Sequence, residues 1–474
     1  MINVCKDDSA IIKTMKNKTL IVNSKCLYVM SLMILSFSIH ADEKKDLLTV
    51  YEEAVLNDAL LSSARIQNQV SKELIDQGLS LFLPNINMSA SYDQNDNKRK
   101  VLTSGINNDL LSGTSANFES YDYGITITQP IFNYSSYAKY KQNLIQSSLS
   151  HKQLMKAQQN LIFRVSSLYF ETLMAMDKIK LLQAQYSAIK AQLSEAEARF
   201  EMGLISITDV NEAKTKEALL KIDKIDAIQE LKIKKREIES ITGVMPGKLV
   251  PLNPIITFTQ LDNQAEEWVS MALENSLELQ IKRDEILIAD REIDIRSGNR
   301  YPTIDAIARR SKDWNKGGYP YGSVTNEGIR SFSDTIGLEV NIPLYSGGYA
   351  SSRVREGKLL KLKIKEDEEY LRRQIALQVR ENYLNLQSNF AEIDAYQQAL
   401  VSAELTLEST HTGFEVGLRN SVDVLRAQQI YFDAEKDMLK ARYNYLINQF
   451  KLKQSVGMLT KTDLIDTNKY LIAD

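Results

Sequence analysis

A chain of 474 residues with 43% hydrophobic and 25% charged content can bury a core, which excludes general disorder. Its formal charge of -3 leaves no basic surplus for a polyanion, and the Lys/Glu-rich run from Lys221 to Glu239 carries both signs, so nucleic acid is not an expected partner. The two cysteines, Cys5 and Cys26, lie so early that no disulfide or cysteine-held metal is expected beyond them.

Residues 1–41 read as a cleaved secretory signal peptide. Lys13, Lys16, Lys18 and Lys25 precede an apolar run from Cys26 to Ile39, which ends at His40-Ala41 before Asp42-Glu43-Lys44-Lys45. The run is short for a membrane-spanning helix, and no later stretch approaches the roughly 18 uninterrupted apolar residues that one needs. An exported chain of this kind would enter a membrane as strands.

A helix is expected from about Asp46 to Leu81, then a strand after Pro84, a polar loop over Asn95 to Glu119, and a strand ending at Pro130. Between Pro130 and Gly203 no glycine or proline interrupts the chain, which predicts one helix from Ser135 to Phe200, on the order of 100 Å long. Its apolar stripe, Tyr169, Leu173, Met176, Ile179, Leu182, Tyr186, Ile189, Leu193, Ala196 and Phe200, recurs at close to a heptad spacing and calls for coiled-coil partners. A turn at Gly203 leads to a helix from Thr208 to Ser240.

The second half says the same again. Pro84 returns as Pro302, an offset of 218; Gly203-Leu204 and Asp209-Val210 return as Gly417-Leu418 and Asp423-Val424, an offset of 214. Tyr169, Met176, Ile179 and Phe200 map onto Tyr383, Phe390, Ile393 and Phe414 at the same 214. Expected elements are a helix from Glu266 to Arg300, a strand after Pro302, a loop from Lys312 to Ser333, a strand ending near Pro343, a rod from Gly348 to Phe414 with a bend at Gly357, and a helix from Val422 to Val456. This organisation divides the chain into residues 42–254, residues 255–460 and a tail, 461–474.

The strands alternate. Ile86, Met88, Ala90 and Tyr92 share one face, as do Tyr123, Ile125 and Ile127, then Ile304, Ala306 and Ala308, and Ile336, Leu338, Val340 and Ile342. Apolar-out, polar-in strands suit an outer-membrane barrel, and the same alternation suits a water-facing sheet over a core. Four strands per chain cannot close a barrel, since about eight are needed, whereas three copies supply twelve strands and twelve rod-equivalents. The alternative is a trimeric surface fibre or adhesin with the coils as its stalk, which has no use for a pair of matched hairpin turns.

At this point the residues resemble the TolC family of outer-membrane export ducts over nearly all of the chain beyond the signal. The matches are Arg199-Phe200, Gly203-Leu204-Ile205-Ser206-Ile207-Thr208-Asp209-Val210, the segment Gly417 to Leu425, and Ala441-Arg442-Tyr443-Asn444-Tyr445-Leu446-Ile447-Asn448-Gln449. The resemblance implies an α+β membrane protein: a homotrimer whose twelve-stranded β-barrel sits in the outer membrane and continues as a twelve-helix α-barrel across the periplasm. It implies passage of small toxic molecules or secreted proteins, with a periplasmic adaptor and an inner-membrane pump or ABC transporter as partners.

The resemblance also places a gate at the turns around Gly203 and Gly417. Thr208 is counted with this gate, and Asp209 would bond to a tyrosine and an arginine of the other coil, positions that here fall on Phe414 and Arg419, and Phe414 has no hydroxyl to offer. Asp423 matches an acidic selectivity ring, but the second ring position is Arg426, one helical turn on, where an ion pair with Asp423 is expected to weaken attraction for cations. No enzyme chemistry is expected. Beyond the signal only His151 and His411 remain, and Gly243-Val244-Met245-Pro246-Gly247-Lys248-Leu249 is too short for a phosphate loop, so no cofactor or metal is called for.

Overall fold

The computed structural model describes residues 44–99, 114–259, 263–317 and 329–472; the expected signal peptide lies outside them. Along the chain run α1 (Leu47–Asn57), α2 (Ala59–Ser80), β1 (Asn85–Arg99), β2 (Thr114–Phe132), α3 (Tyr134–Glu201), α4 (Ile207–Thr242), α5 (Ala265–Asn275), α6 (Leu277–Gly298), β3 (Thr303–Gly317), β4 (Ile329–Asn341), α7 (Tyr349–Glu415), α8 (Ser421–Val456) and α9 (Lys461–Asn468). The two rods are 68 and 67 residues long. Among the described residues no helix is both long and apolar enough to cross a membrane.

The expected helix from Asp46 to Leu81 is broken at Asp58, and that from Glu266 to Arg300 at Ser276. The Asp58 carboxylate accepts the Leu61 N–H at 2.6 Å and so restarts the helix as a cap, and its other oxygen accepts from Arg164 at 2.6 Å. Ser276 makes the same kind of break in the second half without a side-chain cap. Nor does Gly357 interrupt its rod. It lies where α7 approaches α6 so closely that a Cβ would sit 3.2 Å from Ile293. The strands also run farther than expected: residues 95–99, 114–119, 312–317 and 329–333 are strand, and the remainder of the two expected loops, 100–113 and 318–328, lies outside the described residues.

The sheet has the order β1-β2-β3-β4, antiparallel throughout. Because α2 leads into β1, β2 into α3, α6 into β3 and β4 into α7, the strand order is carried on by the helices. Near the strands α2, α3, α6 and α7 lie side by side, and farther away the order is α4, α3, α8, α7. The chain is therefore a wall four elements wide, with β1, α2 and α4 along one border and β4 and α7 along the other. Its main core lies midway, where α1, α5 and α9 pack onto the rods around Tyr169, Phe170, Tyr443 and Phe450. The Tyr169 hydroxyl donates to the Val250 carbonyl at 2.9 Å, and burial raises its pKa well above that of a free phenol, so it stays a donor.

The register lines this face into rows across all four strands: Ile86, Ile127, Ala308 and Ile336 in one, and Ala90, Tyr123 and Phe332 with Lys312 among them in another. Among the described residues nothing covers this face, where Met88 is 74% and Ile336 90% exposed.

Candidate functional site at the helix tips

The tips are made by two hairpins of the same construction. The Gly203 N–H donates to the Phe200 carbonyl at 2.8 Å and the Leu204 N–H to the Arg199 carbonyl at 2.9 Å; the Gly417 N–H donates to the Phe414 carbonyl at 3.1 Å and the Leu418 N–H to the Gly413 carbonyl at 2.8 Å. This double bond pattern requires a left-handed residue, and Gly203 and Gly417 adopt φ of 74° and 77°. The next helix starts at once in each case, with Ser206 or Asn420 as cap. The Asp209 N–H donates to Ser206 Oγ at 3.4 Å while Asp209 Oδ2 accepts the Ser206 N–H at 3.3 Å, and Asp423 makes the matching pair with Asn420 at 2.7 and 3.4 Å.

These boxes decide where the carboxylates point. Within the chain Asp209 meets neither Phe414 nor Arg419, because it is turned back on its own helix start. Thr208 is exposed beside it. The expected pair between Asp423 and Arg426 does not form either. The bond to the Asn420 N–H aims Asp423 toward Arg419, whose Nη1 is 4.0 Å away, and leaves Arg426 exposed. Arg419 folds over Gly413, where a Cβ would come within 2.9 Å of the arginine Cγ.

The two hairpins meet through a pair that sequence reasoning passed over. The Arg199 guanidinium lies over the Phe414 ring, 4.2 Å from its centroid, and Phe414 is only 4% exposed. Glu195 holds the arginine from below, accepting from Nε at 3.0 Å. A cation over an aromatic face stabilises by about 0.5–2 kcal/mol, depending on desolvation. The ring that cannot offer a hydroxyl thus still ties one coil to the other. Arg199 was visible as part of the family-like motif, but its partner is 215 residues away in sequence. Above this pair a buried amide bridge, Gln428 to Gln192 at 3.2 Å, joins the same two hairpins, close to the small core of Leu182, Ile189, Ala213, Leu220, Ala227 and Leu425.

The tip offers no nucleophile with a base beside it, and among the described residues no group of His, Asp or Glu is placed to hold a metal. What it presents at its surface is carboxylates and guanidinium groups.

Residues 50–244 and 268–458 match the family described as outer membrane efflux protein. The chain is 29% identical over 431 residues to the outer membrane protein TolC of Vibrio cholerae, covering 90% of this chain and 93% of that protein. It is 24% identical over 442 residues to the proteases secretion protein PrtF of Dickeya chrysanthemi, covering 92% and 93%. Among solved structures it superposes on the outer membrane protein VceC of Vibrio cholerae with a TM-score of 0.69 at 15% identity over 87% of this chain and 96% of that one. The open state of the MtrE outer membrane channel of Neisseria gonorrhoeae gives 0.67 at 15% identity over 89% and 94%.

Proposed function

Because this chain belongs to the outer membrane efflux protein family and is an outer-membrane channel for efflux or type I secretion, not an enzyme, we propose that three copies close into one tube gated at the helix tips. One observation carries this reading: among the described residues the wall has two unpaired borders. An open sheet edge leaves a row of N–H and C=O groups that hydrocarbon cannot satisfy, so β4 must pair with β1 of a neighbour until the ring closes. Below the sheet the borders are apolar as well. Leu359, Leu362, Leu377 and Leu384 are exposed on α7, as are Ile66 and Val70 on α2 and Ile222 and Ile233 on α4. Three walls of four make a twelve-stranded barrel above and twelve helices below, and residues 42–254 and 255–460 supply two copies of one design per chain, with 461–474 as a tail.

In this reading the tube is passive and energy comes from an inner-membrane pump or ABC transporter docked through a periplasmic adaptor. Docking would separate the hairpins, breaking the Arg199 to Phe414 stack and exposing Asp209, Arg419, Asp423 and Arg426 to the bore. The cargo is small toxic compounds or secreted proteins; the PrtF relative is a proteases secretion protein by name. A stalk-like fibre would have no use for an apolar sheet face at the end of its coils.

Planar-bilayer recording of the purified protein tests the proposal. Discrete conductance steps from a species three chains in mass support it, and an inert or monomeric species overturns it.

A further inference from the structure

The apolar face of the sheet is not apolar to its end. The register that aligns Ile86, Ile127, Ala308 and Ile336 in one row puts Arg310 and Asp334 beside Ile125 and Met88 in the next. It then puts Lys312 beside Tyr123 and Phe332, and Arg330 beside Trp314, Tyr121 and Tyr92. Three cations and one carboxylate therefore share the face that lipid would cover.

Their height follows from the strand. Ile304, at the helix end of β3, and Trp314 are ten residues apart. At the rise and tilt of barrel strands that is roughly 26 Å, about the height of a transmembrane apolar band. Tyr92 lies tilted 5.0 Å from Tyr121, and Tyr121 stacks on Trp314 at 5.1 Å between ring centroids, as a belt at the far boundary of that band should. Arg330 lies at the belt, Lys312 about 5 Å beneath it and Arg310 about 10 Å beneath it. All three belong to the half of the band distant from the helices.

These side chains are also held in place. The Arg330 guanidinium lies 5.0 Å from the Trp314 ring centroid, and Lys312 Nζ is 4.9 Å from that of Phe332 and 5.5 Å from that of Tyr123. Arg310 Nε is 3.2 Å from Asp334, the one acid in these three rows among the described residues. In the row beyond, Lys316 faces Glu119, so that row is balanced. An unpaired cation on a lipid-facing strand is costly near the midplane and much less so at the interface. The surplus cations are therefore best matched by anions of the leaflet that they border.

We propose that Arg310, Lys312 and Arg330 form a binding site for the phosphate groups of an outer-leaflet lipid, its acyl chains lying on the Ile86, Ile127 and Ile336 row and its phosphates between β3 and β4. The site rests on the barrel reading, since it needs this face turned outward.

Native mass spectrometry of the intact purified protein, with diphosphoryl lipid A, its monophosphoryl form and an uncharged diacylglycerol as probes, tests the site, and bilayer conductance is recorded on the same sample. The expected result is a conducting protein that retains diphosphoryl lipid A more tightly than the monophosphoryl form and does not retain diacylglycerol. In Arg310→Gln/Lys312→Gln/Arg330→Gln affinity should fall on the order of 100-fold, about fivefold for each cation near an anionic surface, with conductance unchanged. The single Arg330→Gln serves as a milder variant should the triple one fail to assemble. A conducting wild type that binds all three probes alike, or that keeps its affinity in the variants, overturns the lipid site and leaves the channel standing. A wild type that neither conducts nor assembles overturns both.

Discussion

The guanidinium of Arg199, at the end of the first rod, lies 4.2 Å from the ring centroid of Phe414, at the end of the second. With the Gln428 to Gln192 bridge, this is one of the contacts that join the two hairpins of one chain near the helix tips. Arg199→Gln and Phe414→Leu should each loosen the tips and raise single-channel conductance in planar bilayers. The double variant should do little more than either alone, with a coupling of about 1 kcal/mol. Additive effects of the two changes would remove the pair from the gate.

Arg426 is exposed one turn beyond Asp423, and Asp423 leans to Arg419 at 4.0 Å. In each chain Asp423 therefore has an arginine beside it and a second guanidinium one turn on, and multivalent cations should block the channel weakly. Arg426→Asp should strengthen that block, and Arg419→Ala should strengthen it further by freeing Asp423. Block read as the half-blocking concentration of a trivalent cation, unchanged in both variants, would contradict this.

Glu435 on α8 has its carboxyl pKa raised, first by burial and then by the Glu404 carboxylate of α7. A folded-state pKa above the unfolded value means that the folded state binds this proton more tightly, so stability falls as pH rises from the ordinary carboxylate value of 4.5 through the raised one. Glu435→Gln should raise the unfolding temperature at pH 7 to 8. The gain should shrink to nothing as pH falls below about 4.5. A gain that persists at acid pH would point to packing instead of charge.

Gly298 ends α6 against the start of α3, where a Cβ would come within 2.8 Å of the Ser135 nitrogen. The same serine donates to the Ile295 carbonyl at 3.0 Å, so neither side can give way freely. Gly298→Ala should destabilise the helix-to-strand junction by about 1–3 kcal/mol, seen as a lower unfolding temperature. Gly247→Ala, where nothing lies within 4 Å, is the matched control and should change little.

Local signals made much of this readable. The rod from Tyr134 to Glu201 follows from a stretch without glycine or proline, and the strands from alternation that any residue count reveals. The breaks at Asp58 and Ser276 are hard to see although Asn57-Asp58 and Asn275-Ser276 are cap-forming pairs, because helical periodicity continues across them and hides the restart. Gly357 reads as a bend because a helix-interior glycine suggests one, while its actual reason, the approach of α6, is a tertiary fact. At the tips the glycine turns are legible, and Ser206 to Asp209 and Asn420 to Asp423 stand at the three-residue spacing of a capping box. What was not legible was which carboxylate meets which arginine, since a capping bond, invisible to composition, fixes the direction of Asp423, and Arg199 finds its ring in the other half of the chain.

The central claim is that copies of this wall close by joining β4 of one to β1 of the next. Single-particle electron cryo-microscopy of the detergent-purified protein measures this most directly. The account predicts a threefold-symmetric particle with one continuous bore and twelve strands at one end. A soluble single chain, or a solid bundle with no bore, would contradict it.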